Sequence, residues 1–233
     1  MNSNATTRRI RSVALWLIPT ILFVFIVLAV FSRKSFFFLL REDGWIEWFT
    51  FAGLIISGIY ALKIALGIRR RHHYNHWFFF LFFAFALLAG LEEISWGQRV
   101  FGIESNEFFQ KYNGQKETNL HNTFQLVTGI KTKHVALLVL FVYGVVFPWL
   151  LRKGKLQLQL IKNKQFIIPP FFLIPAYFIT SMVMIDYPFG LQEELGEFFY
   201  SICFVLMNLY NYELFKAGRF AKAAPSDKLS KAA

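Results

Sequence analysis

Two adjacent carboxylates, those of Glu92 and Glu93, close an apolar run of Phe, Leu and Ala that begins at Trp77. An ionisable side chain at membrane depth costs roughly 2.5–3.5 kcal/mol on insertion scales, so such residues are candidates for function. Two close carboxylates in a low dielectric cannot both be ionised cheaply. This property suits a general acid or a proton carrier. We therefore predict that Glu92 and Glu93 are catalytic residues.

The residues that follow this pair extend the candidate site. On a continuous helix, Glu92, Trp96 and Arg99 fall on one stripe, at i, i+4 and i+7. Arg99 can neutralise one carboxylate or bind an anionic headgroup, which adds it to the predicted catalytic set. Trp96 and Gln98 are predicted to contact the substrate. The structural alternative is an Arg–Glu pair that only holds this helix to its neighbours.

A second group of polar side chains lies in the long connection 100–133. Glu117 and His121 share one face if this segment is helical, and that spacing can supply two metal ligands. His121 is also the predicted base, and Asn119 and Asn122 are predicted to bind the substrate. The alternative interpretation is a polar surface loop with no ligand.

The predicted metal ligands are Glu93, Glu117, His121 and Glu193. Carboxylates with one imidazole suit Mg²⁺, Ca²⁺ or Mn²⁺, or a Zn or Fe site rich in carboxylates. The sequence has no P-loop, no Gly-rich dinucleotide turn and no His-Glu-x-x-His motif. A divalent metal ion is therefore the cofactor that the sequence suggests, and no residues are predicted to bind an organic cofactor.

Two further acidic clusters flank other apolar runs. The first, at the start of the second run, consists of Glu42, Asp43 and Glu47. The second, at the start of the sixth run, consists of Asp186, Glu193, Glu194 and Glu197. Each cluster has an equally simple interpretation as the solvated end of a helix.

The composition is typical of a polytopic membrane protein. The chain has 233 residues, of which 56% are hydrophobic and 17% charged, and 30 are Phe. Within lipid the backbone must bond to itself, so the apolar runs should be helices. We predict an all-α bundle, a single transmembrane domain over 12–216, with six spans at about 12–32, 46–67, 77–97, 134–151, 166–186 and 194–215.

Basic residues predict the orientation of these spans. With segment 1–11 and the loose tail 217–233 in the cytoplasm, most of the 25 Lys and Arg residues face inward. Of the 14 acidic residues, only Glu213 and Asp227 then lie inside, which suggests a functional outer face. The predicted location is the plasma membrane, the inner membrane of a bacterium. The charge of +11 falls in short clusters beside apolar runs, which favours contact with lipid headgroups and argues against nucleic acid.

The connection 100–133 is too long for a simple turn. Ser105 can cap a short helix that Asn113 and Gly114 end, and a second helix can begin at Thr118 or Asn119. We predict a structured lid of two amphipathic helices on the outer surface, between the third and fourth spans.

Two short segments resemble motifs of known families. Glu92 and Glu93 followed by Arg99 are similar to the Glu-Glu-x-x-x-Arg motif of CAAX-type intramembrane proteases, but Arg99 comes too late and no His-x-x-x-Asn follows. The segment from Glu42 through Glu47 resembles the metal-binding segment of alkaline ceramidases, which also need a late pair of histidines, and no His follows His134. The sequence therefore assigns no family.

The leading functional hypothesis is a membrane-embedded hydrolase or transferase that acts on a lipid or lipid-linked substrate at the outer leaflet. The first alternative is a proton- or cation-coupled transporter, for which the inner halves of the spans offer only scattered polar residues such as Ser57, Tyr143 and Asn208. The second is a non-catalytic subunit of a membrane assembly whose lid binds a partner.

Overall fold

The structure is a computed structural model that describes residues 3–41, 44–102, 104–112, 132–156, 165–185 and 192–220. Every regular element within these ranges is a helix, and none of the described residues forms a strand. The prediction of an all-α protein is therefore confirmed. Of the predicted lid, residues 113–131 lie outside the described ranges.

Ten α-helices are described. In chain order they are α1 (Ser3–Phe31), α2 (Arg33–Leu40), α3 (Trp45–His72), α4 (Trp77–Glu93), α5 (Gln98–Phe101), α6 (Glu107–Tyr112), α7 (Thr132–Phe141), α8 (Phe147–Arg152), α9 (Ile174–Val183) and α10 (Gln192–Lys216). A π-helical turn at Val142–Val146 joins α7 to α8 without a break, and short 3₁₀ turns follow α4 and precede α9.

Three helical stretches are long and apolar enough to cross a membrane, namely Ala5–Phe31, Trp45–His72 and His134–Arg152. Large apolar side chains such as Phe23, Phe31 and Leu138 are exposed on these stretches. Water-soluble surfaces rarely carry contiguous apolar area of this kind. The three stretches indicate a membrane protein.

The core of the bundle is α3, which packs between α4 and α10. Helix α4 runs antiparallel to α3, because Gly58 faces Ala86 near the middle and Gly90 faces Leu54 one turn further along. Helix α10 runs parallel to α3, since Gly53 lies against Ser201 and Gly67 lies against the ring of Phe215. Small residues at these contacts let the helix backbones approach closely.

Helix α9 packs antiparallel on α10 through polar as well as apolar side chains. The hydroxyl groups of Ser181 and Tyr200 are 2.8 Å apart and share a hydrogen bond. Thr180 Oγ1 lies 3.8 Å from Cys203 Sγ, both buried. In the π-helical turn, Gly144 lies directly against the ring of Tyr177, which leaves no room for a side chain. Such hydroxyl contacts between helices stabilise bundles in an apolar surrounding.

The fifth predicted span, 166–186, differs from the observed helix. Residues 165–170 are not helical, a 3₁₀ turn covers Phe171–Leu173, and α9 begins at Ile174. Pro169 and Pro170 lack an N–H group and disfavour helix in the residue before each of them. The helix therefore begins at Ile174, eight residues after the predicted start of this span.

Charges of opposite sign collect at opposite ends of this bundle. We call the end where α3 begins, α4 ends and α10 begins the acidic end, defined by Glu47, Glu92, Glu93, Glu194 and Glu197. We call the other end the basic end, defined by Arg11, Arg71, Arg152, Lys216 and Arg219.

Candidate acidic site

Three helices bring carboxylates together around Glu93, the last residue of α4. The carboxylates that act on Glu93 are Glu194 and Glu197 of α10, Glu47 of α3 and the neighbouring Glu92. All are partly buried. Acidic clusters that lie far apart in the sequence thus form one site.

Helix α4 ends at Glu93 because the chain turns sharply after Ile94. Ser95 and Trp96 adopt positive φ angles of 45° and 56°, and Gly97 follows with a φ of 75°. Non-glycine residues rarely adopt this left-handed conformation, and each such residue costs roughly 1–3 kcal/mol. The expectation of one continuous helix through Glu92, Trp96 and Arg99 is therefore wrong.

The turn nevertheless joins two of the predicted site residues. The indole Nε1–H of Trp96 donates a hydrogen bond to Glu92 Oε1 over 2.6 Å. Trp96 is about one-third exposed, at 37%. This hydrogen bond fixes the orientation of the Glu92 side chain at the edge of the site.

Gln98 lies beneath the turn. It is buried, and its Nε2 donates a hydrogen bond to Ser105 Oγ over 2.9 Å. Ser105 was the expected cap of the next helix, but Asn106 has that role, because Asn106 Oδ1 accepts the backbone N–H of Phe109 at 3.2 Å. Gln98 and Ser105 therefore tie the connection before α6 to the end of the bundle.

Several predicted site residues fall outside what the structure describes. They are Glu117, Asn119, His121 and Asn122, and also the side chain of Arg99, whose backbone lies in α5. Among the described residues no three His, Cys, Asp or Glu side chains are arranged to hold a metal ion. The metal site predicted from Glu93, Glu117, His121 and Glu193 thus stays a prediction.

The structure adds residues that the predicted site did not include. Glu194 and Glu197, rather than Glu193, are the α10 carboxylates that act on Glu93, and Glu47 joins them from α3. A signal for this was present, since each of these residues lies at the end of an apolar run where the predicted topology places the outer boundary. Which side of each helix faces Glu93 depends on packing between distant segments.

Such an arrangement can bind and release a proton. Ionised carboxylates accept hydrogen bonds but donate none, so gathered carboxylates favour a proton shared between them. Around the site, the aromatic rings of Trp45 and Trp48 are exposed. A polar group in a lipid headgroup layer can therefore approach the acids beside an aromatic rim.

In comparisons with known proteins, the chain matches no protein-family model, no curated protein sequence and no solved structure.

Proposed function

We propose that this protein is a six-span enzyme of the plasma membrane that uses Glu93 as a general acid or base on a lipid or lipid-linked substrate. Its site is the acidic end, which faces the outer leaflet, and both termini lie in the cytoplasm. The reaction is a hydrolysis or a group transfer.

The direction of the packed helices supports six crossings. Helix α4 is antiparallel to α3, α9 is antiparallel to α10, and the stretch from α7 to α8 ends at the basic end with Arg152. Exposed Trp side chains occur at both ends, with Trp45 and Trp48 at the acidic end and Trp149 at the basic end. Trp residues favour the two membrane–water interfaces.

The observation that carries the proposal is the different surroundings of two neighbouring carboxylates. Glu92 accepts a hydrogen bond from the Trp96 indole, whereas Glu93 lies among the carboxylates of Glu47, Glu194 and Glu197. Paired acids in unlike surroundings are the arrangement that divides acid and base roles between two residues. The strained turn at Ser95 and Trp96 is a further feature that clusters at functional sites.

The test is a search for lipid turnover by the purified full-length chain. The protein is placed in nanodiscs of a total bacterial lipid extract, and products are followed by mass spectrometry. We expect Glu93→Gln, which keeps the size of the side chain, to lower turnover by at least about 100-fold because a general acid or base typically contributes 10²–10⁴-fold.

The matched control is Glu107→Gln, at an exposed acid in the first turn of α6 that is not among the carboxylates that act on Glu93. It should keep the wild-type rate. A wild-type protein that changes no lipid, or a Glu93→Gln protein that retains full turnover, contradicts the proposal. Elemental analysis of the wild type, Glu93→Gln and His121→Ala tests the metal prediction separately.

Two buried atoms favour proton-coupled transport as a second candidate. Tyr177 Oη and Asn208 Oδ1 have no hydrogen-bond partner among the described residues, although both side chains are fully buried. Buried polar atoms of this kind are commonly satisfied by water, and water in the bundle can carry protons. The test is proton flux in liposomes. If the protein turns over no lipid but carries a proton flux that Glu93→Gln abolishes, the protein is a transporter rather than an enzyme.

A further inference from the structure

A cavity of about 710 Å³ opens at the basic end, far from the acidic site along the bundle. It lies between the start of α1, the end of α8, the segment that precedes α9, and the end of α10. Its volume is within the roughly 300–1,000 Å³ of typical small-molecule sites.

The wall of this cavity is apolar. Pro148, Leu151, Phe166 and Leu214 contribute to it, and no carboxylate is among the described residues that line it. Glu213, which precedes the lining residue Leu214 in the sequence, forms an ion pair with Lys216, with 2.5 Å between Oε1 and Nζ. No acidic residue among the described lining residues therefore competes with an anionic ligand for Arg11 or Arg152. The apolar wall suits hydrocarbon.

Three arginines from three separate segments line the same cavity, Arg11, Arg152 and Arg219. The guanidinium of Arg152 lies over the ring of Phe171 at 4.0 Å, and that of Arg11 lies over Phe172 at 5.6 Å. A stacked guanidinium keeps its edge N–H groups available, and these match the geometry of a phosphate. The cavity thus combines an apolar wall with cationic donors.

The backbone beside the cavity is unusual for a helical bundle. Residues 165–170 are not helical, and Pro169 and Pro170 within them line the cavity. Non-helical backbone near membrane depth is tolerated where it lines a cavity or is buried in protein. The two prolines remove two N–H groups that an apolar occupant could not satisfy.

We propose that this cavity binds one anionic phospholipid of the cytoplasmic leaflet. Arg11, Arg152 and Arg219 hold its phosphate, and one acyl chain lies along Leu151, Leu214 and Phe166. The cytoplasmic leaflet carries the anionic lipids, and basic pockets between transmembrane helices bind their headgroups. This site is distinct from the acidic end and does not depend on its chemistry.

The test measures binding of phosphatidylglycerol to the purified full-length chain in neutral detergent, by native mass spectrometry and by the rise in the thermal midpoint. We expect saturable binding that the double variant R11Q/R152Q weakens by at least about tenfold, since a charged hydrogen bond contributes about 1.5–3 kcal/mol. The matched control is Arg70→Gln, an exposed arginine at the end of α3 that does not line this cavity. It should bind as the wild type does.

A second variant, Leu151→Trp, keeps every arginine but fills the apolar wall, and it should also weaken binding while the protein stays folded. Phosphatidylcholine that binds as tightly as phosphatidylglycerol overturns the proposal, and so does unchanged binding in R11Q/R152Q. Inorganic phosphate alone separates a lipid from a free anion. If phosphate stabilises the protein as much as the lipid does and Leu151→Trp has no effect, the occupant is not a lipid.

Discussion

The two ends of this bundle use charge in opposite ways. At the acidic end, the carboxylates of Glu47, Glu194 and Glu197 act on Glu93, and each of them opposes its charge. At the basic end, Arg71 donates a hydrogen bond to the Phe215 carbonyl and lies over the Phe215 ring. The charges around Glu93 repel it, whereas Arg71 is attracted to its neighbours.

This difference separates charges that stabilise the fold from charges that do not. Cations at the C-terminal ends of helices are favourable, because they face the carbonyl groups there. The last turn of α3 carries Arg69, Arg70 and Arg71, in keeping with this rule. Glu47 and Glu194 gain in the same way, because each lies in the first turn of a helix, where an anion is favourable. Glu93 does not, since it is the last residue of α4 and other carboxylates act on it, and sites that sacrifice stability in this way are usually functional. Mutations of Glu93 and of the cations that end α3 should therefore change stability in opposite directions.

The largest effect is expected at the basic end. Arg71→Gln removes the 3.3 Å hydrogen bond to the Phe215 carbonyl and the cation–π contact at 4.4 Å. We expect a loss of about 2 kcal/mol in the free energy of unfolding, measured as a lower thermal midpoint in detergent. Arg70→Gln, at an exposed neighbour, should change it little. Equal effects of the two substitutions would show that Arg71 is no more integrated into the fold than its neighbour.

A smaller change of opposite sign is expected at the acidic end. Glu93→Gln removes one charge from the cluster and should raise the free energy of unfolding by roughly 0.5–2 kcal/mol, while it removes the proposed activity. The same thermal measurement detects it, with Glu107→Gln as the unchanged reference. A lower midpoint for Glu93→Gln would mean that this carboxylate stabilises the fold, and the contrast between the ends would then be wrong.

The smallest effect concerns one hydroxyl group at the basic end. Tyr74 donates a hydrogen bond to the Phe220 carbonyl over 3.1 Å, so Tyr74→Phe should cost about 1 kcal/mol. Burial raises the pKa of Tyr74 above the usual value of 10.0. The contribution should therefore be complete below pH 10 and be lost as the pH rises through the raised pKa.

The measurement is the difference in thermal midpoint between the wild type and Tyr74→Phe from pH 7 to pH 11. The difference should persist near pH 10 and shrink above it. A difference that disappears well below pH 10 would contradict the assigned role of the hydroxyl group.

Much of the fold could be predicted from the sequence. Long apolar runs without the alternation of a strand must satisfy their backbone hydrogen bonds internally, and a helix is the structure that does so. The segments 46–67 and 194–215 fall within α3 and α10, and the prolines before Phe171 indicated the late start of α9. The end of α4 could not be predicted in this way. Ser95 and Trp96 have no special preference for the left-handed conformation, so their residue types do not predict the turn.

The sequence predicts how deep the acidic residues lie in the membrane, but not which of them contact one another. Counting residues along each apolar run places Glu47 and Glu197 near the outer boundary and Glu93 below that boundary, inside the bundle. It does not show which helices are neighbours, since α3 and α10 are separated by more than a hundred residues and meet through Gly53 and Ser201. The apolar surface of α4 is nearly uniform around the helix, so periodicity could not indicate the face that packs on α3.

The π-helical turn at Val142–Val146 has a consequence for how this chain can vary. A π-helical turn holds one residue more than the α-helical turn that it replaces. Loss of one residue there would restore a regular α-helical turn and leave the rotation of α7 relative to α8 nearly unchanged. Loss of one residue within α7 or α8 would instead rotate one part of the helix by about 100° relative to the other. Within the turn, Tyr143 and Gly144 have specific neighbours, the Ile167 carbonyl and the Tyr177 ring. A single-residue deletion that spares Tyr143 and Gly144 should therefore be tolerated better in this turn than a deletion within α7 or α8.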